Sequence, residues 1–378
     1  MSNRELERSP AVPARHSGAA PKNRRPIAFG TGLIALDVVL SAEKHGHGWL
    51  AAGGTCGNVL AALSFFGWQS YPIARLNGDA ASVVVQRDLT RWSVGLDFAC
   101  QKPSSATPII VQRIDSRPGG TPRHRFLLTC PVCREWLPSF KPLTREAALG
   151  ILDQVGRRKA AEMPSVFFFD RTSRGTLLLA AEFAERGAVV VFEPCGVGDP
   201  TLLEEALSIA HVLKYSRDRM PDLARRRFPA AGRLLEVETR GELGLRFRSS
   251  LLSSTAWVNQ AAVPAPVLRD AAGAGDWCTA AMLSVLACGG LPGFRSAGKT
   301  DVLGALRFGQ AAAAIACSFE GARGAMEVFT PEAFRAAADA LALGAAEVDA
   351  GGRALPSRPD SLYSDGKLLM ERVCPRCS

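Results

Sequence analysis

The chain lacks the features that would assign it to several broad classes at once. No apolar run is long enough to span a bilayer, so no membrane partner is expected. The N-terminus is polar and Pro-rich, without the apolar centre of a signal peptide, which makes the cytoplasm the expected compartment. No internal repeat is visible, which argues against solenoids and propellers. Strong charge is also missing from most of the chain. The formal net charge is +9, but residues 1–25 hold six basic residues against two acidic ones. That stretch is read as a disordered basic tail, and a nucleic-acid partner is not expected from it. The modestly basic remainder suits an anionic nucleotide.

What is present points to a sizeable α/β protein. The chain has 378 residues, 47% of them hydrophobic, enough for one large domain or two medium ones. Strand-like apolar runs occur at 26–30, 166–169, 188–192, 211–214 and 233–237. Ala/Leu-rich helical stretches fall near 174–186 and 200–210, the first closed by Gly187. Apolar strands alternating with helices predict a parallel sheet covered on both faces. Residues 38–52 and 100–129 break this rhythm and read as excursions from the main sheet. The expected organisation is a tail over 1–25, a folded domain over 26–350 and an extension over 351–378.

Ten cysteines is a high count. Cys56, Cys278, Cys288 and Cys317 lie in apolar or Gly/Ala-rich contexts that predict buried thiols. Four others form two C-P-x-C units, Cys130/Cys133 and Cys374/Cys377. In a cytoplasmic protein this spacing favours a shared Cys₄ zinc site, which requires the C-terminus to fold back onto the 130–137 stretch.

Two Gly-rich segments precede helix-forming runs. In Gly53-Gly54-Thr55-Cys56-Gly57-Asn58 the glycines permit close backbone approach, and a helix is expected from 58 to 66. There Asn58 reads as either a cap or a ligand contact. In Asp270-Ala271-Ala272-Gly273-Ala274-Gly275-Asp276 a Gly-rich turn opens a helix. Free N–H groups and the positive end of the dipole make such a turn a phosphate site. Asp276 there is either an N-cap or a base beside an anion cradle, the pair that phosphoryl transfer needs.

Taken in order, these segments resemble the ribokinase/pfkB carbohydrate kinase family over about residues 26–330. Residues 30–37 resemble its first strand and substrate-binding Asp. Gly53-Gly54-x-x-x-Asn58, with Gly67 and Gly78-Asp79, resembles its first signature, and 270–276 its second. Thr239-Arg240-Gly241-Glu242-Leu243-Gly244 resembles its T-x-G-x-x-G phosphate turn, and 310–321 its Ala-rich helix near the adenine. The resemblance implies a ribokinase-like three-layer sandwich with a central, mainly parallel sheet and a small β-lid formed by the two excursions. It implies a kinase using ATP and Mg²⁺ to phosphorylate a hydroxyl of a sugar or sugar-like molecule.

The implied roles follow. Asp276 is the base, and the N–H groups of Gly273, Ala274 and Gly275 form the anion hole. Asp37 and Asn58 hold substrate hydroxyls, and Gly53 and Gly54 let the sugar lie against backbone. Thr239, Gly241 and Gly244 hold ATP, and Asp270 a monovalent cation such as K⁺. Lid-to-lid pairing makes a homodimer the implied assembly, and His45, His47, Trp49 and residues 108–126 are the implied specificity region.

The sequence departs from the pattern in several places. Ala271 replaces the usual Thr. Ser216-Arg217-Asp218-Arg219 stands where N-x-x-E is common. Asn77 and Ser82 stand where Gly is frequent. These departures keep two alternatives open: a nucleoside kinase of the same fold, and an inactive kinase fold used as a zinc-organised binding module. Residues 293–300 also fit G-x-x-x-x-G-K-[ST], but 287–292 read as a helix end and turn. A P-loop, which needs a strand there, is therefore not expected.

Overall fold

The computed structural model describes residues 24–41, 46–101, 106–115, 123–158, 163–229, 232–344 and 363–377. Residues 1–23 of the expected tail (1–25), His45, and residues 351–362 and 378 of the extension therefore lie outside the described residues. In chain order the strands are β1 (Ile27–Thr31), β2 (Ala35–Leu40), β3 (His47–Gly53), β4 (Gln69–Leu76), β5 (Ala99–Gln101), β6 (Ile109–Asp115) and β7 (Arg123–Leu127), followed by β8 (Val166–Phe169), β9 (Val189–Phe192), β10 (Val212–Ser216), β11 (Leu235–Thr239), β12 (Leu245–Ser249), β13 (Val258–Gln260) and β14 (Ser364–Asp365). The helices are α1 (Thr55–Phe65), α2 (Ala80–Arg91), α3 (Arg145–Gly156), α4 (Arg174–Glu185) and α5 (Pro200–Ile209), then α6 (Ala274–Leu286), α7 (Gly290–Arg295), α8 (Lys299–Ala316), α9 (Pro331–Ala342) and α10 (Gly366–Val373).

Nine strands form the main sheet in the order β13-β12-β11-β10-β9-β8-β1-β4-β5. From β11 to β5 all pairings are parallel; β12 and β13 close one edge antiparallel. The strands are apolar on both sides because both sides are covered. Val166 and Phe168 of β8 join the core formed with α1, α6, α8 and α9. Phe167 and Phe169 point the other way, into the core formed with α3, α4 and α5. This gives three layers with a central, mainly parallel sheet.

A second sheet, β14-β3-β2-β6-β7, stands beside the first. One of its faces, with Leu36, Val38 and Val111, belongs to the large core. The other carries Val39, Trp49 and Ile114, with Tyr363 packed alongside. The lid starts earlier than the sequence suggested. Gly32, at φ 140°, ends β1, and β2 begins three residues later at Ala35. Residues 100 and 101, assigned above to the excursion, belong with Ala99 to β5 and extend the main sheet by pairing with β4.

Two local readings are also corrected. Helix α1 starts at Thr55, because Gly54 at φ 81° takes the N-cap position; Asn58 lies inside the helix and is not its cap. Cys288 is exposed rather than buried, since it follows the end of α6 at a surface turn. No helix among the described residues is long and apolar enough to cross a membrane.

Candidate active site

The C-terminal ends of the parallel strands meet the N-terminus of α6, the position where α/β sheets bind ligands. Gly273 caps α6 in the left-handed region at φ 73°. A Cβ there would lie 2.6 Å from the Ala322 Cβ, so glycine is required on two counts. Trp277 fixes the first turn by stacking on Phe334 at 4.5 Å and donating its Nε1–H to the Ala322 carbonyl at 2.8 Å. The turn holds the segment 273–276 differently from the expected hole of the Gly273, Ala274 and Gly275 N–H groups. The Ala274 N–H is directed at the Ala271 carbonyl, 3.3 Å away. Among the described residues the N–H groups of Gly273, Gly275 and Asp276 have no hydrogen-bond partner, as expected at the start of a helix.

Asp276 is buried and accepts a hydrogen bond from Asn58 Nδ2 at 2.8 Å. Burial, reinforced by Glu193, raises its pKa to about 7, while Asn58 and Lys214 act in the opposite direction. Beneath it lies a buried ion pair that sequence reasoning missed. Lys214 Nζ donates to Glu193 Oε1 at 2.6 Å, and Thr279 Oγ1 donates to Glu193 Oε2 at 2.7 Å. A Cβ on Gly275 would lie 3.6 Å from the Lys214 ammonium. Burial disfavours that charge, but Glu193, Cys278 and Asp276 together outweigh burial and raise the Lys214 pKa.

Asp170 lies at the end of β8. It accepts from the Leu33 N–H at 2.9 Å and pairs with Arg171 at 2.7 Å, and burial raises its pKa to about 6. A signal for these residues was available. Apolar strands ending in Phe169-Asp170 and Phe192-Glu193, and Lys214 inside Val212-Leu213-Lys214-Tyr215, put charges where a buried strand cannot tolerate them unpaired.

The lid faces this centre with polar groups. Asp37 of β2 is buried, accepts from Gln112 Nε2 of β6, and has its pKa raised to about 7 by burial against the pull of Arg323 and His124. A Cβ on Gly53 would lie 1.8 Å from Asp37 Oδ2, so the glycine makes room for that carboxylate. Of eight buried side-chain atoms without a partner among the described residues, five gather here: Asp37 Oδ1, Asn58 Oδ1, Gln112 Oε1, His124 Nε2 and Arg323 Nη1. Orphans of this kind are costly and native proteins keep few of them. Asn58, Gln112 and His124 bond to Asp276, Asp37 and Asp270, and Arg323, paired with Asp88, acts on Asp37 through its charge.

The remaining site residues are placed as follows. Thr239 ends β11 beside Ser216 of β10, and Arg217 N–H donates to the Thr239 carbonyl at 3.0 Å. Gly241 and Gly244 have φ of 59° and 85°, and a Cβ on Gly244 would strike the Gln260 carbonyl at 2.3 Å. Asp270 accepts N–H groups from Ala272 at 2.9 Å and Gly321 at 2.8 Å, and His124 Nδ1 lies 2.9 Å from its Oδ1. Residues 293–300 begin inside α7 and include its whole second half, so a helix and not a strand precedes them, and Lys299 is exposed. The sulfurs of Cys130, Cys133, Cys374 and Cys377 lie within 4.8 Å of one another.

No protein-family profile matches the chain, and no curated protein does. Solved structures do match in fold. The aminoimidazole riboside kinase of Salmonella enterica, solved with aminoimidazole riboside and an ATP analogue, superposes with a TM-score of 0.59 at 16% identity, over 82% of this chain and 99% of that one. Arabidopsis thaliana ribokinase, solved with ribose and ATP, gives 0.57 at 17% identity over 79% and 95%. Vibrio cholerae O395 fructokinase, a double mutant solved with fructose, ADP and potassium ion, gives 0.57 at 18% identity over 79% and 94%.

Proposed function

From a ribokinase-like fold with a buried carboxylate beside an open helix N-terminus, we propose that this chain is an ATP-dependent kinase acting on a hydroxyl of a sugar or sugar-like molecule. The observation that carries the reading is Asp276: buried, held by Asn58, and adjacent to the free N–H groups that begin α6. Asp276 accepts the substrate hydroxyl proton. The Gly275 and Asp276 N–H groups and the Lys214 ammonium oppose the charge that develops in transfer. Asp37, Asn58, Gln112, His124 and Arg323 offer their unpaired atoms to a polyhydroxylated substrate, and the lid sheet excludes water.

Bound ATP would supply the transferable phosphoryl group, and its Mg²⁺ would neutralise phosphate charge. The residues fit the nucleotide: Gly241, exposed at φ 59°, leaves backbone accessible in the turn after Thr239, beside Ser216, while buried Gly244 closes the turn. Glu193 is already committed to Lys214 and Thr279, so Mg²⁺ would rest mainly on phosphate oxygens and water. Asp270 fits a monovalent cation less well. Its oxygens already face two backbone donors and His124, and no step is derived through such an ion.

The test is ADP formation with ATP and a panel of sugars and nucleosides, after thermal-shift screening for stabilising ligands. Transfer to at least one acceptor is expected; failure with every acceptor would favour a binding module. Turnover should rise with pH through about 7, because Asp276 must be ionised to accept a proton. A profile that is flat between about pH 6 and about pH 8 would remove Asp276 as the base. Stability moves the other way. The folded chain keeps protons on Asp37 and Asp276 that the unfolded chain loses at the ordinary carboxylate pKa, so their contribution declines as pH rises towards about 7.

A further inference from the structure

We propose that Cys130, Cys133, Cys374 and Cys377 bind one structural Zn²⁺ that clasps helix α10 to the lid side of the molecule. The units are more than two hundred residues apart in sequence, yet their four sulfurs lie within 4.8 Å of one another. Cys130 Sγ lies 3.5 Å from Cys377 Sγ, and Cys133 Sγ lies 3.8 Å from Cys374 Sγ. With Zn–S bonds of about 2.3 Å, the edge of a regular tetrahedron is about 3.8 Å. The spacings are too long for disulfides, which need about 2.05 Å.

Both turns are built to present sulfur. In the first, Arg134 adopts φ 64°, its N–H donates to the Cys130 carbonyl at 2.9 Å, and the Val132 N–H points at Cys130 Sγ at 3.4 Å. In the second, the Cys377 N–H donates to the Cys374 carbonyl at 3.2 Å. Cys130 and Cys374 are buried, and Cys133 and Cys377 are half-buried. Four thiols packed this closely without a metal would gain only weak S–H contacts. As thiolates they would repel one another without a cation between them.

The clasp has a structural consequence. Between Tyr363 and the second C-P-x-C unit the chain makes three further contacts with the lid. Ser364 and Asp365 pair with β3, the Gly366 N–H donates to the Gly46 carbonyl at 2.7 Å, and Tyr363 packs edge-on to Trp49 at 5.4 Å. Ser364, Leu369 and Arg372 then line part of a cavity of about 240 Å³ that Asp37, Arg87 and Arg323 also line. The metal would hold in place a wall of the cavity that reaches the proposed substrate carboxylate.

The test uses the full chain purified without chelator or added metal, under reducing conditions. Elemental analysis should find about one zinc per chain. Replacing zinc with Co²⁺ should give the visible and thiolate charge-transfer bands of a tetrahedral sulfur site. Cys374→Ser should lose the metal, while Cys377→His, which preserves a ligand, should keep it. If Cys374→Ser does not fold, chelation of the unmodified chain replaces it, and metal removal should speed limited proteolysis after α9. Stoichiometric iron in place of zinc would overturn the assignment. So would four thiols or two disulfides in a metal-free chain, or proteolysis unchanged by chelation. None of these readouts depends on phosphoryl transfer.

Discussion

Asp276→Asn is expected to lower turnover by about 10²–10⁴, the range for loss of a general base, while ATP still binds. The substitution is nearly isosteric. An amide oxygen can still accept from Asn58, and the burial that raises the carboxylate pKa has no charged form left to penalise. What disappears is the capacity to take a proton. Nucleotide affinity by calorimetry, measured beside single-turnover transfer, separates the two outcomes, and turnover within a few-fold of the parent would refute the role. Lys299→Ala is the control. Lys299 is exposed at the start of α8, in a segment reached from helix α7 rather than from a strand, so its loss should leave turnover unchanged.

Lys214→Met is expected to destabilise the chain by roughly 3–5 kcal/mol, because removing one member of a buried ion pair leaves the other charge uncompensated. Lys214 is 1% exposed at its side chain and Glu193 14%. Thr279 still donates to Glu193, but a hydroxyl cannot neutralise a carboxylate. The pair also lies under Gly275, so the single variant should transfer phosphate poorly even where it is folded. Combining it with Glu193→Gln should restore most of the stability and little of the activity. Urea midpoints for the parent and the two variants decide the matter: a single variant as stable as the parent would show that the pair contributes no net stability.

The three-layer arrangement was legible because apolar strands alternate with Ala/Leu-rich helices, a pattern with few solutions. The 270–276 segment was legible because a helix start rich in glycine is recognisable without its surroundings. The polar lining of the site was much less so. His124 reaches Asp270 across 146 residues and Arg323 reaches Asp88 across 235. No local pattern encodes such partners, since they depend on where the lid packs. Asn58 shows the limit at a single residue. Its position near a helix start suggested a cap, whereas Gly54 supplies that start and frees the amide for Asp276. The cysteine pairs are the opposite case: short identical spacings pointed to a juxtaposition that only the fold could bring about.

The position of β1 carries a kinetic consequence. β8, β9, β10 and β11 are neighbours in sequence as well as in space, each joined to the next through a short connection. β1 is inserted between β4 and β8, with Ala28 opposite Ser70 on one side and Val166 on the other. Its second pairing therefore closes a far longer loop before any contact rewards it, and non-local parallel pairing of this kind slows folding. The amides of β8–β11 should accordingly gain protection from hydrogen exchange before those of β1 when the unfolded chain is returned to native conditions. Simultaneous protection in a pulse-labelling experiment would mean instead that the sheet assembles in one step, with β1 already in its nucleus.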